Sequence, residues 1–151
     1  MTSKPNPSKI AAAGTATPNA PALWQQLDAV AKALHGILGG QSSKAVLAQV
    51  PQRLRPGVQA LLFQVLRNLG RAQALQKQLV SRAPAPKVSA LLSTALALAW
   101  DEAQAPYAPF TLVNQAVEAA KNGAARAQSG FINACLRRFL RERDALVSAT
   151  D

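Results

Sequence analysis

Apolar residues recur along most of this chain at intervals of three and four, the spacing that puts side chains on one face of a helix. Pro21 stands at a helix start. Leu23, Trp24, Leu27, Val30, Ala31, Leu34 and Leu38 keep the helical register until Gly39-Gly40 ends it. Ser42 or Ser43 caps a short helix carrying Val46, Leu47 and Val50. Pro56 opens the next, with Val58, Leu61, Leu62, Val65, Leu66 and Leu69 facing inward and Gly70 as its breaker. A continuation from Arg71 to about Arg82 carries Leu75, Leu79 and Val80. After the Pro84-Ala85-Pro86 break, the run from about Lys87 to Glu102 is so apolar that it predicts a helix buried on most sides. A Pro-containing loop spans Gln104 to Pro109. Phe110 or Thr111 then starts a helix with Leu112, Val113, Ala116, Val117 and Ala120, stopped by Asn122-Gly123, and a last helix runs from about Arg126 to Val147. No fixed-period repeat is visible, and the short connections predict an all-α, compact multi-helix bundle.

The last helix carries the densest pattern. Phe131, Ile132, Cys135, Leu136, Phe139 and Leu140 recur in adjacent pairs every four positions and form one apolar stripe. Arg137, Arg138 and Arg141 are expected on the opposite side with Asn133 and Ala134. One short segment thus buries one face and offers guanidinium groups on the other.

Charge extends this picture to the whole molecule. The chain has 17 Lys and Arg against 7 Asp and Glu in 151 residues. No acid lies between Asp28 and Asp101, yet Lys32, Lys44, Arg53, Arg55, Arg67, Arg71, Lys77, Arg82 and Lys87 do. A surface that cannot neutralise itself over half its length attracts polyanions, which points to nucleic acid. Arg67, Arg71, Arg137, Arg138 and Arg141 are the expected nucleic-acid contacts, since a guanidinium suits bidentate phosphate contact and stacking on exposed bases. Reversing the charge of Arg137 and Arg138 together is expected to weaken nucleic-acid binding while helical content persists.

Reactive chemistry is sparse. His35, the only histidine, precedes the glycines that end the first helix, where an imidazole compensates the helix dipole. Asp101 and Glu102 are neighbours whose side chains diverge on a helix, so they make no acid–base pair. Glu118 stands alone among apolar residues, open to a hydrogen bond or an arginine. Cys135 is the sole cysteine, which excludes an internal disulfide and a cysteine-based zinc site; its place in the apolar stripe marks it as a core residue. There is no glycine loop of the phosphate-cradling kind and no metal-ligand cluster, so no catalytic, cofactor or metal residues are assigned. No apolar run reaches the roughly 20 residues of a membrane span. A cytoplasmic protein without a membrane partner is expected.

Three segments together resemble the NusB-like fold: Leu61 to Leu69 (L-L-F-Q-V-L-R-N-L), Val117 to Lys121 (V-E-A-A-K) and Phe131 to Phe139 (F-I-N-A-C-L-R-R-F). The resemblance covers roughly Gln41 to Arg143. That fold occurs as a free-standing transcription antitermination factor, which binds RNA and a small-subunit ribosomal protein. It also occurs as the N-terminal domain of 16S rRNA cytosine-C5 methyltransferases of the Sun/Fmu family. Asn133, Leu136, Arg137, Arg138 and Phe139 match the Asn-x-x-Leu-Arg-Arg-Phe ending of the methyltransferase branch and favour it. The chain departs from the family pattern at Gln64, where glycine is usual, at Gln115, where an acid is usual, at Ala95 to Ala99 in place of a Gly-Leu-Tyr-Gln-Leu segment, and at the Ala108-Pro109-Phe110 turn.

Residues 1–20, rich in Ser, Thr, Pro, Asn and Ala and without periodicity, are expected to be a disordered leader; the resemblance implies a helical RNA-binding domain over 21–147 and a tail or start of a linker over 148–151. It also implies a partner catalytic domain beyond Asp151, holding the S-adenosylmethionine and the methyl-transfer cysteines. The RNA implied is 16S rRNA. Read as a free-standing antitermination factor instead, the same helices would bind RNA together with the ribosomal protein.

Overall fold

The computed structural model describes residues 20–150; the leader expected before them lies outside this range, apart from Ala20. The first helix, α1 (Leu23–Leu38), buries Leu23, Leu27, Val30, Ala31 and Leu34 of its apolar stripe, while Trp24 is half-buried and Leu38, at the helix end, is exposed. Its first turn is capped from a distance: Gln115 Oε1 accepts a hydrogen bond from the Trp24 amide at 2.9 Å. A glutamine at the family's acidic position still supplies the acceptor that an orphan helix N–H requires. At the other end, the Gln41 amide donates to Gly36 O and the Gly40 amide to Ile37 O. This wrap needs a left-handed residue, and Gly40 provides it with φ of 109°.

Six more helices follow: α2 (Ser43–Ala48), α3 (Arg55–Arg67), α4 (Leu69–Leu79), α5 (Pro86–Ala99), α6 (Pro109–Lys121) and α7 (Ser129–Thr150), the last preceded by a 3-10 turn at Arg126–Gln128. Proline occupies the first turn of α3, α5 and α6, where a missing N–H costs nothing. Gly70 does not break the α3–α4 run. The break is at Asn68, whose φ of −111° and ψ of 14° leave the helical region while its side-chain amide donates to Gln64 O at 2.9 Å. Gly70 lies inside α4. The last helix begins at Ser129 after its 3-10 turn and continues to Thr150, with a kink at Glu142.

α5 is the axis of the bundle, and α1, α3, α4, α6 and α7 all pack against it. Every residue from Ala90 to Ala99 is buried, as the apolar run predicts. Its alanines keep the axis thin, so neighbouring helices approach closely. The hydroxyls it carries inward are satisfied: Thr94 donates to Ala90 O at 2.8 Å, and Ser93 donates to Gln76 Oε1 at 3.0 Å. Gln76 in turn donates to Ser89 Oγ at 2.8 Å, so this buried polar network carries no orphan.

Candidate nucleic-acid interface

Helix C-termini shape this domain's electrostatics. Each exposes carbonyls at the negative end of the helix dipole, and three arginines answer them. Arg55 donates to Val50 O at 2.9 Å and Ala48 O at 3.4 Å, just past the end of α2. Arg138 donates to Leu79 O, the last residue of α4, at 3.4 Å. Arg143 donates to Ala99 O, the last residue of α5, pairs with Glu102 at 3.5 Å and lies 5.5 Å from the Phe139 ring centroid. Part of the positive charge is therefore committed to the fold itself.

The five arginines expected at an RNA surface do not converge on one cluster. Successive residues of a helix diverge by roughly 100°, so Arg137 and Arg138 leave α7 on opposite flanks of its apolar stripe, both half-buried. Arg137 turns to α6, where its Nη2 donates to Asn114 Oδ1 at 2.8 Å and its Nε to Asn133 Oδ1 at 3.3 Å. Arg138 turns to α4 and also pairs with Glu142 at 3.3 Å. Only Arg141 takes the fully outward position that the stripe suggested for all three. Charge reversal at Arg138 thus disturbs the α4–α7 seam as well as any RNA contact. Arg71 sits at the far end of that seam, 4.5 Å from the Trp100 ring centroid, donating to Thr150 Oγ1 at 3.2 Å. Arg67 is exposed at the end of α3, and neither it nor Arg141 makes a polar contact among the described residues.

A cleft of about 840 Å³ lies between α1, α2, the loop before α3 and the start of α5. Lys32, Arg53 and Lys87, from three separate segments, line it together with His35 and Trp24. Its one acid, Asp28, is already paired with Lys32 at 2.9 Å. Gly123 lets the end of α6 close on this wall: a Cβ there would stand 2.9 Å from Asp28 Oδ1. Sequence reading placed these cations in the acid-free run without singling them out, because nothing in their spacing says that they meet. Gln25 Oε1 accepts from Arg53 Nη2 at 3.5 Å and steadies that side chain at the rim.

The remaining reactive-looking groups are structural. Burial pushes the Cys135 thiol up, with the Arg138 charge acting against it, and the side chain is part of the core. Glu118 accepts from the Asn122 side chain at 2.9 Å rather than from an arginine. Asp101 accepts from the Ala103 amide in a local turn while Glu102 reaches Arg143, so the two acids do diverge. Among the described residues no group of three His, Cys, Asp or Glu is placed to hold a metal, and no helix is long and apolar enough to cross a membrane.

No curated protein matches the chain. Residues 23–141 match the NusB family, and they take in both the basic cleft and the Asn133–Phe139 segment. An all-helical bundle matched over that span, with its cations on an antitermination-type, RNA-binding fold, belongs to the NusB family.

Proposed function

We propose that this chain is the RNA-positioning domain of a 16S rRNA cytosine-C5 methyltransferase, holding ribosomal RNA in the cytoplasm for a catalytic partner domain. The observation that carries the RNA reading is the cleft, where Arg53 and Lys87 line one concave surface beside the Lys32–Asp28 pair and leave it an excess of positive charge. Such a surface attracts a phosphate backbone and fixes its register. Arg67 and Arg141, exposed and uncommitted to other described residues, extend the contact, and Arg137 offers an immobilised guanidinium. Arg71 and Arg138 act chiefly by holding α4 and α7, and touch RNA at their rims.

The methyltransferase reading rests on the Asn133-x-x-Leu136-Arg137-Arg138-Phe139 pattern. Every member has a place: Asn133 orients Arg137, Leu136 and Phe139 enter the core, and Arg138 closes α4. The helical domain itself does not fit S-adenosylmethionine. It has no glycine loop to cradle the cofactor, and its one thiol is buried, so cofactor and methyl transfer belong to the partner domain.

A titration of the full chain with a 16S rRNA fragment at low and high salt tests this. Affinity is expected to fall steeply with salt as bound counterions are released, and Arg53→Glu with Lys87→Glu is expected to weaken it at low salt by tenfold or more. Absence of binding at low salt would sink the proposal. Binding that instead required a small-subunit ribosomal protein would support the free-standing antitermination factor.

A further inference from the structure

The end of α6 remote from the basic cleft carries a feature that neither the fold nor phosphate attraction accounts for. Phe110 is 63% exposed, more than any other large apolar side chain among the described residues. Its ring centroid lies 5.6 Å from the Arg137 guanidinium carbon. That guanidinium is held by two acceptors, Asn114 and Asn133. Arg141 stands exposed one turn further along α7. Beside the ring opens a cleft of about 570 Å³ walled by Pro109, Leu140 and Arg141. Of the three acids that line it, Glu102 and Glu142 are each engaged by an arginine, while Asp144 is exposed, so Arg141 and Arg143 leave the cleft close to neutral.

We propose that Phe110 and Arg137 form a stacking platform for an unpaired RNA base, with Arg141 taking the adjoining phosphate. This rests on the RNA reading above and deepens it: the domain would recognise a single-stranded segment, not only a polyanion. An exposed aromatic face beside an immobilised guanidinium plane is what base stacking uses, and it tolerates any base because each has a π-face. A duplex keeps its bases inside, so it gains nothing from this surface.

The test compares a short single-stranded RNA with the same strand annealed to its complement, both titrated at low salt against the full chain. Phe110→Ala is expected to lower affinity for the single strand on the order of tenfold and to leave the duplex unaffected, whereas Phe110→Trp keeps or raises single-strand affinity. A 5-iodouridine-substituted strand is expected to photocrosslink at Phe110. Equal single-strand binding by Phe110→Ala, or equal loss on both RNAs, overturns the platform and leaves the RNA reading standing; the exposed ring would then serve a protein surface. Failure of the unaltered chain to bind either RNA overturns both.

Discussion

Arg141 and Arg143 stand two residues apart on α7 and have opposite assignments, which makes them a sharp pair to separate. Replacing Arg143, whose side chain is 15% exposed, by methionine keeps most of the stem but removes the guanidinium. Three interactions go with it. The charged hydrogen bond to Ala99 O at the end of α5 is worth about 1.5–3 kcal/mol. The approach to Phe139 adds about 0.5–1 kcal/mol. The pair with Glu102, itself 71% exposed, adds about 0–1 kcal/mol. One group makes all three, so they do not sum, and water replaces part of the loss at the rim. A net destabilisation of about 2 kcal/mol follows, which at a typical urea dependence lowers the unfolding midpoint by about 1 M. Arg141→Met, lacking any described partner, is expected to change stability by less than about 0.5 kcal/mol. It should instead reduce the salt dependence of single-strand binding by about 0.7 in logarithmic slope, the share of one phosphate contact. Urea unfolding followed by helical circular dichroism, beside an RNA titration at several salt concentrations, reads both. Equal midpoints for Arg143→Met and the unaltered protein, or a drop in Arg141→Met as deep as in Arg143→Met, would refute the division of these cations into fold and ligand.

Two further outcomes follow from packing and burial. Gly36→Ala would set a Cβ 2.8 Å from Val46 Cγ1, and valine's stiff χ1 leaves little room to yield; after the helical gain from removing glycine, a net loss of about 1 kcal/mol is expected in urea unfolding. Because burial raises the folded Cys135 thiol above its usual value, the unfolded chain releases that proton first. Stability from this group is therefore complete below the ordinary thiol range and declines as pH rises through it. Cys135→Ala should flatten that alkaline decline in the unfolding midpoint, and an unchanged slope would show that other groups cause it.

Much of the fold was legible because helices announce themselves locally. The stripe from Leu23 to Leu34, the caps at Ser42 and the prolines, and the wholly apolar α5 each follow from contacts within a few residues. The α3–α4 break was misplaced at Gly70, since glycine weakens a helix without ending it. Asn68 ends this one by donating its side-chain amide to the preceding turn. The candidate site was less legible. Arg137, Arg138 and Arg141 looked alike on an idealised helix, but the neighbours that distinguish them, Asn114 and Leu79, lie 23 and 59 residues away.

The sequence by itself determined an all-helical domain, its core stripes, its excess of positive charge and its membership of the NusB family, because periodicity, composition and family pattern are properties of the string. The tertiary structure decided which cations are free to meet a ligand. A helix C-terminus presents its carbonyls wherever packing puts it, and the arginines that reach those carbonyls come from distant turns: Arg138 to α4, Arg143 to α5. The same packing drew Lys32, Arg53 and Lys87 into one cleft and left Phe110 uncovered beside Arg137. Charge is counted along a chain, but its availability depends on what lies opposite each group in space.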